Sequence, residues 1–340
     1  MKRTSVCLLS LLFLAGLLLC ILTVPDGNVL PEAANNAYTG QGPVPYVFGT
    51  RSYGLMLAGA FLLCSAAVAF AGGRASFRSH LLWMTLAVWS GLLLSRLLFV
   101  LVNFSFCFGV AGIGFLPRLW EGGFSMTGAL AGIILSALWV RKCKGDFSLR
   151  ALAFALPIFV IVARLGETFA TTGLGTGFDD SNLFTVEGAW DYPLNVRLIE
   201  ALVAVVILAV LLLLVRSKEL PEDTALLFFL ILYGATQILL ESLRHEGHMV
   251  WGFVKAQQIF AFLAAATGAA ITASRHGKLV PSLISSVALG GLVFLMEKML
   301  DRNWFRWSTS LMIVLYALLI LVWIVLAFLF AGNKHSQTEK

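Results

Sequence analysis

Charge is scarce in this chain. Only 12% of its 340 residues are Asp, Glu, Lys or Arg, while 59% are hydrophobic, and the mean hydropathy is +0.89. No soluble globular domain carries that balance. No stretch outside the apolar runs is long enough to form such a domain either. Cysteine is sparse and unpatterned. Cys7, Cys20, Cys64, Cys107 and Cys143 are odd in number, with no CxxC or metal spacing. That excludes a disulfide framework and a structural zinc site, and leaves them as small packing residues. The net charge is +6, but no basic face is interleaved with aromatics, so nucleic acid is not expected as a partner. No internal repeat is found, which counts against a repeat-built transporter using intramembrane charges as a relay. No cofactor and no metal are expected.

What the chain has is long apolar runs. They fall at roughly 5–24, 51–71, 81–103, 124–140, 149–170, 197–215, 225–244, 255–274, 281–298 and 309–331. Each approaches the length needed to cross a bilayer as a helix. The fold class is therefore all-α, a polytopic integral membrane protein with about ten transmembrane helices. Lys2 and Arg3 before the first run fit a signal peptide or an uncleaved first helix. The poor small-residue pattern after it favours the helix. Leu19 stands where a lipidation box around Cys20 wants a small residue, so that box is discounted. Residues 25–50, rich in Pro, Gly and Asn, read as an outside loop. Basic segments with Arg74 and Arg78, with Arg141, Lys142 and Lys144, with Arg216 and Lys218, and with Arg275 and Lys278 share one side. The acidic loop with Asp179, Asp180, Glu187 and Asp191 takes the other. The positive-inside rule then places both termini inside. Gly128 with Gly132, and Ala264, Ala265 and Ala266 with Gly268, predict close helix contacts.

Ionisable groups at membrane depth are expensive, so each marks a candidate site. Arg96 lies inside the third run, as a structural arginine that caps carbonyls or as part of a site. Arg164 and Glu167, spaced i, i+3, share a helix face. They form either a self-neutralising pair or a site in which Arg164 binds a lipid phosphate as a planar fork. Tyr233, Gln237, Glu241 and Arg244 fall at i, i+4, i+8 and i+11, one stripe of a helix. Such a stripe must face protein or water. Beyond it, His245 and His248 are surface-loop residues or candidate bases. Tyr53 opens the second run as an interfacial anchor or a site residue. Trp83, Trp89, Trp120, Trp251, Trp304 and Trp307 fit an aromatic belt near the span ends.

Taken in order, these strings resemble the prolipoprotein diacylglyceryl transferases. Tyr53-Gly54-Leu55-Met56 matches the family's Y-G-L-M. Arg96 matches the arginine of G-R-x-G-Y-V-L-F. Trp120-Glu121-Gly122-Gly123-Phe124-Ser125 matches W-[DE]-G-G-M-S. Arg164-Leu165-Gly166, with Gly175, matches R-[IL]-G-N-F-x-N-G-E-x-x-G. Tyr233-Gly234, Glu241 and Arg244 match Y-G-x-x-R-x-x-x-E-x-x-R, and Gln257 or Gln258 resembles the G-Q of the last family helix. The resemblance implies a seven-helix body over 45–275. Residues 1–44 then hold the extra first helix and an outside loop, and 276–340 hold two further helices and an inside tail. It also implies a bacterial cytoplasmic membrane and a site toward the outer leaflet. The reaction would be transfer of diacylglyceryl from phosphatidylglycerol to the cysteine thiol of a prolipoprotein lipobox.

The pattern also departs from the family. The family's histidine falls on Thr127, the asparagine of R-[IL]-G-N on Glu167 and that motif's later glutamate on Thr172. The arginine of the last string falls on Gln237, and the H-P-x-Q-L-Y-E string is reduced to Tyr192–Leu198, with Glu200 out of register. The resemblance assigns Arg164, Glu167 and Glu241 to catalysis, with Glu167 as a replacement base. It assigns Arg164, Arg244, Tyr53, Arg96 and Gln237 to an anionic, phosphatidylglycerol-like lipid. The alternative is a lipid-binding or assembly protein that keeps the fold without the reaction.

Overall fold

Serine caps fix where several helices begin. The computed structural model describes residues 3–23, 52–72, 76–111, 114, 117, 119, 123–169, 173–187, 192–217, 221–244, 250–251, 254–302 and 309–331. Its helices are α1 Arg3–Thr23, α2 Ser52–Gly72, α3 Phe77–Val102, α4 Phe104–Ala111, α5 Met126–Lys144 and α6 Leu149–Gly166. They continue with α7 Val196–Ser217, α8 Glu222–Leu243, α9 Ala256–Arg275, α10 Leu279–Arg302 and α11 Thr309–Phe330. Ser76, Ser125 and Ser148 cap α3, α5 and α6, each accepting from the backbone N–H three residues on. These side chains satisfy donors that a helix start leaves orphaned. α5 ends in Arg141, Lys142 and Lys144, which suit the negative end of its dipole, and Gly145 closes it at φ +78.

Among the described residues ten helices, all but α4, are long and apolar enough to cross a membrane. They match the ten apolar runs, and the protein is an all-α, multi-pass membrane protein. Two ends differ from the expected ones. α3 begins at Phe77 rather than near 81, because Ser76 is held by its own cap and by Asp146, whose Oδ2 accepts from the Ser76 N–H at 3.0 Å and the Ser79 hydroxyl at 3.1 Å. α6 stops at Gly166 rather than near 170, because Thr168 and Phe169 turn back to donate to the carbonyls of Leu165 and Gly166.

The chain divides into two compact units, residues 1–208 and 209–340. In the first, α3 packs against α5 and α2 against α6, with α1 laid on α2 and α3. A Cβ on Gly128 would stand 2.5 Å from the Leu94 carbonyl oxygen, and one on Gly132 2.5 Å from the Gly91 nitrogen. The expected close contact is thus a backbone-to-backbone crossing of α5 on α3. Trp83 departs from the belt expectation. It is fully buried, 5.1 Å from the Phe147 ring and 6.0 Å from the Phe61 ring. Strands β1 Leu174–Phe178 and β2 Tyr192–Asn195 pair antiparallel between α6 and α7. This hairpin was not foreseen, and it delivers Arg197 to the start of α7.

In the second unit α8 and α9 pack most closely, α10 packs on α9 and α11, and α11 reaches α8 as well. Strands β3 Val250–Trp251 and β4 Val254–Lys255 form a short ladder before α9. A Cβ on Gly268 would stand 2.9 Å from the Leu227 carbonyl oxygen, and one on Gly234 2.5 Å from that of Ala261. α6 and α8 are each 67% buried over their spans, against 22% for α1, α10 and α11. Each unit therefore has one helix more buried than the rest, and those two helices carry Arg164 and the Tyr233, Gln237 and Glu241 stripe, with Glu167 and Arg244 at their C-caps.

Candidate functional site

α6 carries Arg164 in its last turn, and Glu167 is its C-cap residue, one step past the helix. The two are bonded, Arg164 Nη1 donating to Glu167 Oε1. A third residue completes the cluster. Glu200, in the first turns of α7, places Oε2 2.5 Å from Arg164 Nε. All three are at least 95% buried. Arg197 adds a second guanidinium, donating through Nη1 to the Glu167 carbonyl oxygen at 3.2 Å and through Nε to Asn195 Oδ1 at 3.2 Å. The β1–β2 hairpin sets Arg197, since its backbone N–H donates to the Gly173 carbonyl at 3.0 Å. Two arginines and two glutamates thus share one buried volume. A buried charge is tolerated only when paired and hydrogen-bonded. The arrangement meets that condition, and it gives Arg164 two carboxylate partners at once.

Tyr53 reaches the same helix end. A Cβ on Gly166 would stand 2.7 Å from Met56 Cβ and 3.2 Å from Tyr53 Cδ2, so the glycine lets α2 close over the turn that carries Arg164 and Glu167. Arg96 sits elsewhere on α3. Its Nη1 donates to the Gly123 carbonyl at 3.2 Å, and its guanidinium carbon lies 5.9 Å from the Phe124 ring centroid. Gly123 has φ +80, and a Cβ there would meet the Phe99 ring at 2.6 Å and Arg96 Nη1 at 3.0 Å. Arg96 therefore caps the loop before α5. Thr127 lies in the first turn of α5.

In the second unit Tyr233, Gln237 and Glu241 form a buried stripe on α8. Arg244 is the C-cap, in extended conformation, so it leaves the helical stripe that the spacing predicted. Arg244 Nε stands 4.0 Å from Glu241 Oε1. Lys255, at the start of α9, caps this end. Its Nζ donates to the Glu241 carbonyl at 2.5 Å and to the Arg244 carbonyl. Cations at a helix C-terminus satisfy carbonyls left without intrahelical donors.

Glu200, Arg197 and Lys255 were missed by the sequence reading. Glu200 did carry a signal, being an acid three residues after an arginine in an apolar run, but it was set aside as out of register. Trp120, Glu121, Thr172, His245, His248, Trp304 and Trp307 lie outside the described residues.

A family model described as prolipoprotein diacylglyceryl transferase matches residues 45–274. Three curated relatives are named phosphatidylglycerol–prolipoprotein diacylglyceryl transferase. That of Blochmanniella floridana is 26% identical over 175 residues, 43% of this chain and 61% of its own length. That of Teredinibacter turnerae is 28% identical over 220 residues, 61% of this chain and 76% of its own. That of Symbiobacterium thermophilum is 25% identical over 169 residues, 46% of this chain and 62% of its own. The chain thus spans less than two thirds of the first and third of these relatives. With more than half of its residues matched by the family model, the chain belongs to the prolipoprotein diacylglyceryl transferase family.

Proposed function

We propose that the protein transfers diacylglyceryl from a phosphatidylglycerol-like lipid to the thiol of a lipoprotein cysteine or a related acceptor. The observation that carries this reading is the buried Arg164–Glu167–Glu200 cluster, built on the retained Arg164-Leu165-Gly166 string of a family member. In the reaction the thiol gives up its proton to a base. The sulfur then bonds to the glyceryl carbon while that carbon's bond to the phosphate oxygen breaks, and the leaving glycerol phosphate takes the electron pair. Glu167 is assigned the base, since its carboxylate already has a hydrogen-bonding role and stands where the family has asparagine. Arg164 orients Glu167 and offsets charge on the leaving phosphate. Glu241 is assigned to catalysis in the second unit, with Arg244 and Gln237 as lipid contacts, and Tyr53 and Arg96 are lipid contacts in the first.

The membrane is taken to be the bacterial cytoplasmic one, with both termini inside. Residues 45–275 form the transferase-like body, flanked by 1–44 and 276–340. The test is transfer to a free-cysteine peptide by Glu167→Gln. Loss of a positioned base should cost on the order of 10²-fold or more in rate with lipid binding kept. An unchanged rate would remove Glu167 from the chemistry.

A second reading is a lipid-binding or assembly protein that kept the fold. Thr127 and Gln237, where the family has histidine and arginine, favour it, as does the double engagement of Arg164 by carboxylates. A lipobox peptide that binds and is never modified would select it.

A further inference from the structure

Among the described residues, the helices after residue 274 carry one buried acid that no family string covers. Glu297 lies in α10, 7% exposed, beyond the last residue the family model matches. An ionisable group inside a membrane span is retained at a cost, and its contacts show where it acts. Glu297 Oε1 accepts from Gln258 Nε2 at 2.7 Å. The same amide nitrogen donates to the Ile238 carbonyl of α8 at 3.0 Å. Gln258 Oε1 accepts from the backbone N–H of Lys255 at 3.0 Å, the return half of a capping box. The orientation of this amide is forced. The Lys255 N–H can only donate, so the amide oxygen must face it. The Ile238 carbonyl can only accept, so the NH2 must face the other way, and its second proton needs an acceptor. Glu297 is that acceptor. Tyr316 of α11, 1% exposed, stands beside the Glu297 carboxyl.

The chain of contacts continues from Lys255 to the end of α8. Its Nζ holds the carbonyls of Glu241 and Arg244. They are two of the three residues of the second unit assigned above to catalysis and lipid contact.

We propose that Glu297 is a positioning residue for the transferase site. From an appended helix it fixes the Gln258 amide and the start of α9, and so places the Lys255 ammonium that sets Glu241 and Arg244. The inference rests on the transferase reading for its functional consequence, while the positioning itself is measurable without any lipid. It gives the C-terminal helix pair a task beyond anchoring, since α10 then supplies part of the frame of the lipid-handling end of α8.

The experiment compares full-length wild type with Glu297→Gln and Glu297→Leu in detergent. Glu297→Gln keeps an acceptor oxygen for Gln258, whereas Glu297→Leu keeps bulk and loses the acceptor. Hydrogen exchange at the Lys255 amide is read first. It should rise on the order of tenfold in Glu297→Leu and stay near wild type in Glu297→Gln, the size one lost buried hydrogen bond allows. Transfer kinetics with phosphatidylglycerol are read next. Glu297→Leu should raise KM for the lipid by a similar factor with a smaller change in kcat, and Glu297→Gln should restore it. Equal Lys255 exchange in all three proteins would overturn the proposal. So would a Glu297→Leu defect that Glu297→Gln does not rescue. If wild type itself neither binds phosphatidylglycerol nor transfers it, the transferase reading falls, and the exchange result alone decides whether Glu297 holds the Lys255 cap.

Discussion

Arg164 Nε lies 2.5 Å from Glu200 Oε2, which ties the last turn of α6 to the first turns of α7 across 36 positions of sequence. Together with the bond from Arg164 to Glu167, this makes one guanidinium the hub of two carboxylates in a fully buried site. Glu200→Ala leaves Arg164 short of a partner it cannot replace with water. Breaking one partner of a buried pair costs about 3–5 kcal/mol, so thermal unfolding in detergent should drop sharply. Glu200→Asp, which keeps the charge, should recover part of it. A melting point unchanged in Glu200→Ala would show that the contact carries no stability.

The α3–α5 crossing should be intolerant of side chains. Gly128→Leu must push against the Leu94 carbonyl and Gly132→Val against the backbone at Gly91. Overpacking costs about 1–3 kcal/mol in general, and backbone atoms have nowhere to rotate. Gly59→Ala is the control, since a Cβ there meets nothing within 4 Å. The expected order of melting points is wild type and Gly59→Ala above both larger substitutions.

Two glycines with nearly equal φ should behave differently. Gly145 has φ +78 and open space around its missing Cβ, so Gly145→Ala should cost only the left-handed strain, about 1–2 kcal/mol. Gly123 has φ +80 and faces the Phe99 ring and Arg96 Nη1. Gly123→Ala should displace Arg96 from its carbonyl and lower transfer activity as well as stability. Equal loss in the two variants, measured by melting and transfer together, would deny Arg96 any special place in the loop.

Asp146 predicts an acid limb in stability. The Ser76 N–H holds its carboxyl below the ordinary aspartate value of 3.8, with further help from the Ser79 and Ser76 hydroxyls. A carboxyl whose folded pKa is depressed stabilises the fold fully above its unfolded value. That contribution is lost as the pH falls from about 3.8 through the lower folded value. Asp146→Asn should therefore lower stability at neutral pH and flatten its dependence below pH 4. Parallel curves for wild type and variant would contradict the assignment.

Much of the fold was legible in the sequence because span length and apolarity are strong signals in a membrane. The helix ends were less so. α6 stops at Gly166 because local turns at Leu165 and Gly166 compete with the helix, and apolarity alone does not see that competition. Arg244 leaves the α8 stripe for the same reason, as a cap. The site was half legible. Arg164 and Glu167 are close in sequence and were paired from spacing. Glu200 and Lys255 meet their partners only through tertiary packing, which spacing along the chain does not show. Glu297 lies outside the family strings altogether.

The most direct test of function is mass spectrometry of a lipobox peptide with a free cysteine, incubated with the purified protein and phosphatidylglycerol. A diacylglyceryl adduct that disappears with Arg164→Ala is the predicted result, and it would mean that the family reaction survives with Glu167 and Thr127 in place of the usual asparagine and histidine. Phosphatidylglycerol bound in an Arg164-dependent way, with no adduct at any time, would contradict it and leave a lipid-binding protein on a transferase scaffold.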